Sequence, residues 1–289
     1  MSSLIKTLFD NFLERILSHR FVRFIELTAV IAALVTFWID MSDKKQERMA
    51  RNWALVTSGA PGNSGKIPAL EWLHQHGEPL KGLSLIKAYL QGVDLRGANL
   101  SGSDFTLADL SNANLSGANL ERTNFTNANL TNANLTNATL NNSSLEKADA
   151  TNANFQGADI SFTFFLKTNL DRARFYRTKA DGSHFIMSDL RNAIFTEAFL
   201  NYAEFRGAYL AWTKFERADL NHSSFDSALF QSTNFKQAFH VPSLEKGCTV
   251  FSQPPYGFPD DIKPPIISFD WNSSLEECSY RVTAIGKTK

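Results

Sequence analysis

Little in this chain interrupts its middle. No proline occurs between Pro79 and Pro242, whereas three lie at or before Pro79 and six from Pro242 onward. So long a stretch without a chain breaker reads as one organised body, followed by a proline-rich, irregular tail over 241–289. Glycine and proline are also missing before Gly59, which leaves residues 1–58 free to be helical. Charge of one sign is absent: Lys plus Arg and Asp plus Glu number 29 each, so no field draws the protein to nucleic acid or to an acidic partner. Cysteine is scarce. Cys248 and Cys278 both fall in the tail; they could pair in an oxidising compartment and would stay reduced in a cytosol, so they leave the compartment open. What is abundant is Phe, 24 residues, within a hydrophobic content of 43 % that suffices for a sizeable core.

The stretch TNANLTNANLTNATL, residues 126–140, repeats every five residues, and its register extends far in both directions. Every multiple of five from Leu85 to Phe235 is apolar: Leu, Phe or Ile throughout, save Ala150 and Ala180. Two residues before nearly every such centre stands a small side chain, with Leu83 and Val93 the larger exceptions. A step of five turns through about 500° on an α-helix and would spiral the apolar residues around its whole surface. On a flat strand it would send alternate centres to opposite faces. A chain that turns a corner every five residues buries them all. The Phe positions give the number of sides. Phe105, Phe125, Phe165, Phe185, Phe205 and Phe225 form a series spaced by 20 or multiples of it, with Leu145 in the gap; Phe155, Phe175, Phe195, Phe215 and Phe235 form a second, offset by ten. Four pentapeptides per turn stack each series into a ladder and set the two ladders on opposing walls. Exposed residues 20 apart then become neighbours, and Asp109, Asn129, Asp149, Asn169 and Asp189 alternate carboxylate with amide at that spacing.

Ala98-Asn99-Leu100, Ala108-Asp109-Leu110, Ala113-Asn114-Leu115, Ala118-Asn119-Leu120 and Ala133-Asn134-Leu135 read as A(D/N)LXX, and over 81–240 the chain resembles the pentapeptide-repeat family. That resemblance implies an all-β solenoid: a right-handed four-sided parallel β-helix of about eight coils, here preceded by an α-helical N-terminal region. Eight coils at the strand spacing make a rod about 38 Å long.

The exterior changes character near residue 160. Before it the outward positions are mostly Asn, Thr, Ser and Gly; after it they include Phe162, Phe164, Tyr176, Ile186, Met187, Ile194, Phe199, Tyr202, Tyr209, Trp212 and Leu229. Exposed aromatic side chains in such number mark a surface that something covers. The aromatic tail, a homodimer or partner protein, and a small molecule are the candidates, the last the least suited to a solid rod. Phe199, Tyr202, Tyr209 and Trp212 are chosen as the contact surface. Arg172, Arg174, Arg177 and Lys179 form a cationic cluster that reads as a solvated face.

At the front, Leu4, Ile5, Leu8, Phe9, Phe12, Leu13, Ile16 and Leu17 recur at helical spacing. FVRFIELTAVIAALVTFWIDM, residues 21–41, follows and reaches about 31 Å as a helix, enough to cross a bilayer if Arg23 and Glu26 lie near one end. A single-pass transmembrane helix is expected over an interfacial or a buried core helix. Basic residues flank both ends equally, so the side carrying the rod is not specified. GAPGNSGK, 59–66, fails as a phosphate loop, since Ala60 and Ile67 stand where Gly and Ser or Thr are required. It reads as a loop feeding a short helix, Ala69 to His76, that caps the rod. The order of apolar segment, charged helix, NSGK…ALEWL and GLSLIKAYLQGVDL is similar to the front end of membrane-associated bacterial pentapeptide-repeat proteins.

Chemistry is hard to assemble from these residues. His74 and His76 are two apart, hence on different faces of a helix, and His184, His222 and His240 fall on separate coils and sides. No catalytic constellation, cofactor site or metal site emerges, and a solid rod lacks the pocket an enzyme needs. The expectation is a membrane-tethered scaffold that acts through protein contact. The alternative is a DNA mimic that binds a topoisomerase, as the resemblance suggests for gyrase-protecting members; that needs an acidic excess, which 81–240 lacks.

Overall fold

The computed structural model describes residues 2–58, 65–242 and 250–251. The chain divides into two compact units, Met1–Arg51 and Asn52–Lys289. Most of helix α1 (Ser2–Thr57) makes up the first, and its 56 residues run without a break, as the absence of Gly and Pro permits. Leu27, Ile31, Leu34, Phe37 and Trp38 are all exposed on it. Among the described residues it is the one helix long and apolar enough to cross a membrane.

The second unit opens with the last turn of α1 and with α2 (Lys66–Gln75). The sequence places this helix at 69–76, but it starts three residues earlier. Pro68 falls among the first four helical residues, whose N–H groups lack an intrahelical acceptor in any case, so its missing donor does not delay the start. Lys66 secures the junction. It is buried, and its ammonium donates to the carbonyl oxygens of Leu55, Val56 and Ser58 at 3.1, 3.2 and 2.6 Å, where the end of α1 leaves acceptors without partners. Ala69, Leu70 and Leu73 of α2 are buried. Glu71 accepts the N–H of Asp94 at 2.9 Å and His74 Nε2 lies 2.8 Å from the Arg96 carbonyl oxygen, which ties the helix to the first coil.

From there the chain coils. Parallel bridges join Ser84 to Asp104, Asp104 to Asn124 and onward in steps of 20 to Asp219 and Phe239. They begin at Ser84, Tyr89, Asp94 and Asn99 in turn, one for each of four sides. We number the walls by the centres they bury: the first holds Phe105 to Phe225, the second Leu90 to Phe230, the third Leu95 to Phe235 and the fourth Leu100 to Leu220. These centres are buried throughout. Phe185 lies between Phe165 and Phe205, with ring centroids 4.7 and 5.0 Å away and planes nearly parallel. Across the axis, rings of the first and third walls meet edge to face, from Phe155 and Phe165 at 6.1 Å to Phe225 and Phe235 at 5.9 Å. The two ladders thus interlock from Phe155 upward. At the last coil, strand β1 (Leu229–Phe230) pairs in parallel with β2 (Val250–Phe251).

Almost every backbone donor in a side is accounted for. In the side centred on Phe105, Phe105 N–H reaches Asn124 O on the next coil at 2.7 Å, Leu107 N–H reaches Thr126 O at 3.0 Å, and Asp104 N–H reaches Leu83 O on the coil before at 2.8 Å. Ala108 N–H closes the corner on Phe105 O at 2.9 Å. That leaves Thr106 N–H, which donates to the Asp104 carboxylate at 2.9 Å. The Asn or Asp of the repeat is therefore present to accept the one donor that no carbonyl takes. Asn129 Nδ2 also donates to the Asp109 carboxylate at 3.0 Å, so the alternation of amide and acid down a column is a hydrogen bond as well as a charge pattern. At each corner the residue two past the centre has positive φ, from Gly82 to Gln237, as a type II turn demands. Asn tolerates this; Phe162, Arg177, Tyr202 and Trp212 adopt it at a cost of about 1–2 kcal/mol each. Where Thr replaces the small inward Ala, its hydroxyl donates to a centre carbonyl on the coil before, as Thr178 does to Phe155 O at 2.7 Å.

A charged ladder runs up the corner after the third wall. Glu197 pairs with Arg177 below at 2.7 Å and Arg217 above at 3.0 Å, and accepts from the Tyr176 hydroxyl at 3.2 Å. The hydrogen bond from Arg177, with the nearby charge of Arg217, holds the Glu197 carboxyl below the usual glutamate range. Arg96 does the same for Asp94.

Two predictions follow from this core. Phe185→Ala removes a ring stacked on both sides and should cost about 3–5 kcal/mol, whereas Phe164→Ala, on the exterior, should cost less than about 1 kcal/mol; thermal melts of the two variants check this. A carboxyl with depressed pKa favours the folded state above its unfolded pKa, and that contribution disappears as pH drops through the folded value. The melting temperature should therefore hold from neutrality to about pH 5 and decline below about pH 4, with a shallower acid limb for Glu197→Gln.

Candidate contact surface

The four residues chosen from the sequence do not form one patch. Phe199 lies on the fourth wall, where it bridges to Lys179 and Asp219, and Tyr209 on the second, where it bridges to Asp189 and Leu229. Those walls face opposite ways, because ten residues are half a circuit. Tyr202 stands at the corner between the fourth and first walls, and Trp212 at the corner between the second and third. All four are exposed, at 48, 60, 36 and 48 % for Phe199, Tyr202, Tyr209 and Trp212. They make two separate pairs, Phe199 with Tyr202 and Tyr209 with Trp212, on opposite sides of the coil.

The first wall gathers what they do not. On one coil Phe162, Phe164 and Leu166 point outward in a row, since Thr163 and Phe165 between them are buried. The next coil sets Gly182, His184, Ile186 and Met187 over them, and the one after places Tyr202 at the same corner as Phe162. Phe162 leans over Gly182: a Cβ there would come within 2.6 Å of its ring, so no larger residue fits while the ring stays. Phe164 stacks on the His184 ring at 4.8 Å, and His184 Nδ1 lies 3.2 Å from a carboxylate oxygen of Glu204. Tyr202 continues the corner by stacking on His222 at 4.9 Å. The result is an apolar surface about three coils high, bounded by Ser144, Glu146 and Lys147 before it and by Glu204 and Arg206 after it. Its signal was available in the sequence, had the exterior been sorted by the same period of 20 as the core.

The cations Arg172, Arg174, Arg177 and Lys179 follow one another along the third and fourth walls of one coil. Arg172 lies 3.7 Å from Asp171 and Arg177 belongs to the Glu197 ladder, so their charge is already engaged. Trp212 and Tyr209 stand beside Leu229 and Phe230, the strand that β2 covers. The suggestion that the tail beyond residue 251 covers aromatic side chains, and any pairing of Cys248 with Cys278, lie outside the described residues. Among the described residues no group of three His, Cys, Asp or Glu side chains is placed to hold a metal ion.

Comparison with known proteins agrees with this geometry. The pentapeptide repeats family matches in eight copies over residues 88–127, 128–165, 168–203 and 203–239. No curated protein sequence matches the chain. Among solved structures, full-length QnrB1, a plasmid-mediated fluoroquinolone resistance protein, is 17 % identical over 61 % of this chain and 91 % of its own, with a TM-score of 0.50. HetL, a pentapeptide repeat protein involved in heterocyst differentiation regulation from the cyanobacterium Nostoc, is 24 % identical over 60 % of this chain and 90 % of its own, with a TM-score of 0.31. These neighbours are right-handed β-helices. With its repeats covering more than half of the residues, the chain belongs to the pentapeptide repeat family.

Proposed function

We propose that this protein is a membrane-tethered docking rod that works through protein contact and carries out no catalysis. The observation that supports this most is the apolar row Phe162, Phe164, Leu166, Ile186 and Met187, presented on a wall whose backbone is rigidly laddered. Such a surface is costly to leave in water and offers a flat face with no cleft for a substrate. The tether is α1: its apolar residues between Leu27 and Ile39 are exposed, and residues 21–41 span a hydrocarbon core when helical. DNA mimicry finds no support, because cations and anions balance over 81–240.

The test joins both halves. After an alkaline wash of membranes the full chain should stay in the pellet, and Leu34→Arg with Val35→Arg should release it, since each central charge opposes insertion by about 3 kcal/mol. In a cross-linking pulldown from membranes, Phe164→Ser with Leu166→Ser should lose a partner that wild type retains, while Tyr209→Ser with Trp212→Ser should keep it. Release of the wild type by the wash removes the tether. An unchanged partner set in the first-wall variant removes the docking surface.

A further inference from the structure

The first wall has a property that its apolar character alone does not require. The column one residue past each centre reads Glu146, Leu166, Ile186, Arg206, with the members stacked one coil apart. Reversed, it reads cation, apolar, apolar, anion. The column is therefore complementary to its own inverse. The adjacent column, one residue before each centre, reads Ser144, Phe164, His184, Glu204 and also pairs with its inverse without a clash, Phe against His and Ser against Glu. At the following corner the inverse sets Lys147 against Gly207 and Lys167 against Met187, so no like charges meet. No other wall in the aromatic half combines a central apolar pair with opposite charges at its ends. Arg206 is exposed and makes no ion pair within the described chain, and Glu146 has only the adjacent Lys147, at 3.0 Å, both on the surface.

We infer that the occupant of the first wall is the first wall of a second copy of this chain, packed antiparallel about a two-fold axis between the coils of Phe165 and Phe185. Leu166 then meets Ile186 of the partner subunit, and Phe164 meets the partner's His184. Two symmetry-related pairs of Glu146 with the partner's Arg206 close the ends, as an isologous interface requires. Opposite charges at the rim fix the register more than they add affinity, because a copy displaced by one coil would set Arg206 against the partner's Leu166. Four coils span only about 19 Å, so the interface is of the small class; confinement of two copies to one membrane by α1 would supply the effective concentration it needs. The inference rests on the first wall being a contact surface, as proposed above.

A zero-length carbodiimide cross-link tests it on the full chain in detergent micelles or lipid nanodiscs. Arg206→Lys keeps the charge and supplies an amine. Glu146 and residue 206 of one chain stand three coils apart, about 14 Å, beyond the reach of a direct amide between their side chains. A dimer-mass band whose peptides join Glu146 to residue 206 is the expected result. Each single reversal, Glu146→Arg or Arg206→Glu, should weaken the dimer about tenfold and the double reversal should restore it. Leu166→Asp should lower the dimer fraction at least tenfold with an unchanged melt. A link from Glu204 to residue 206 between chains would mean a parallel pair and overturn the antiparallel register. Links from carboxylates of 252–289 to residue 206, with no dimer, would make the tail the occupant. If Phe164→Ser with Leu166→Ser still loses a different partner while no Glu146 link forms, the docking surface stands and the second copy does not.

Discussion

Everything in the rod depends on the parallel ladder between residues 20 apart. Each rung fixes the height of one coil on the next, and with it the superposition of core centres, of corner turns and of exterior columns. The ladder is tolerant of what it carries. Leu, Phe and Ala all serve as centres, and Asn, Asp, Lys, Phe and Tyr all serve beside them, because the bonds run from backbone to backbone. A protein built this way separates architecture from surface more cleanly than a globular domain does.

The two halves use that freedom differently. In the Asn-rich coils the side chain before most centres accepts the N–H two residues on, and many of these oxygens also take the hydroxyl of that same residue, as Asn124 does from Thr126. From Phe164 onward several of these positions hold aromatic or aliphatic side chains, Phe164, Ile194, Phe199 and Tyr209, which place no acceptor where the Asn or Asp oxygen sits. Beside Phe199 the Asn201 N–H turns to the Asp181 carboxylate on the coil before, at 3.1 Å, and beside the other three the N–H after the centre finds no such acceptor among the described residues. The local hydrogen bond is exchanged for exposed apolar area, a trade that makes sense where that area is covered in the working state. Meanwhile the axis gains the interlocked rings of the first and third walls. Burial there compensates for the bulky residues held at positive φ on the corners.

Most of the fold was legible because the centres are nearly invariant in kind and never slip, so a period of five and a superperiod of 20 could be read directly from Leu and Phe. The site was not read as well. Phe199 and Tyr209 look close in sequence and are aromatic, yet ten residues carry the chain to the opposite wall. Proximity in a coil is measured modulo 20, and Phe162, Gly182 and Tyr202 are the true neighbours. The start of α2 was placed three residues late because the helix was begun at Ala69, after Pro68, whereas the first turn of a helix accommodates proline at more than one position. The reason for Asn or Asp in the repeat was hidden as well, since only the count of backbone donors reveals that one N–H per side lacks a carbonyl.

The unslipped register has a further consequence, for how such a chain can change length. Removing one residue between Leu85 and Phe235 would shift the frame of everything after it, turning polar side chains toward the axis and apolar ones toward water, much as a frameshift scrambles a message. Gains and losses of a whole circuit leave the frame intact. The rod can therefore grow or shrink only in quanta of one coil, and its height is inherited as an integer.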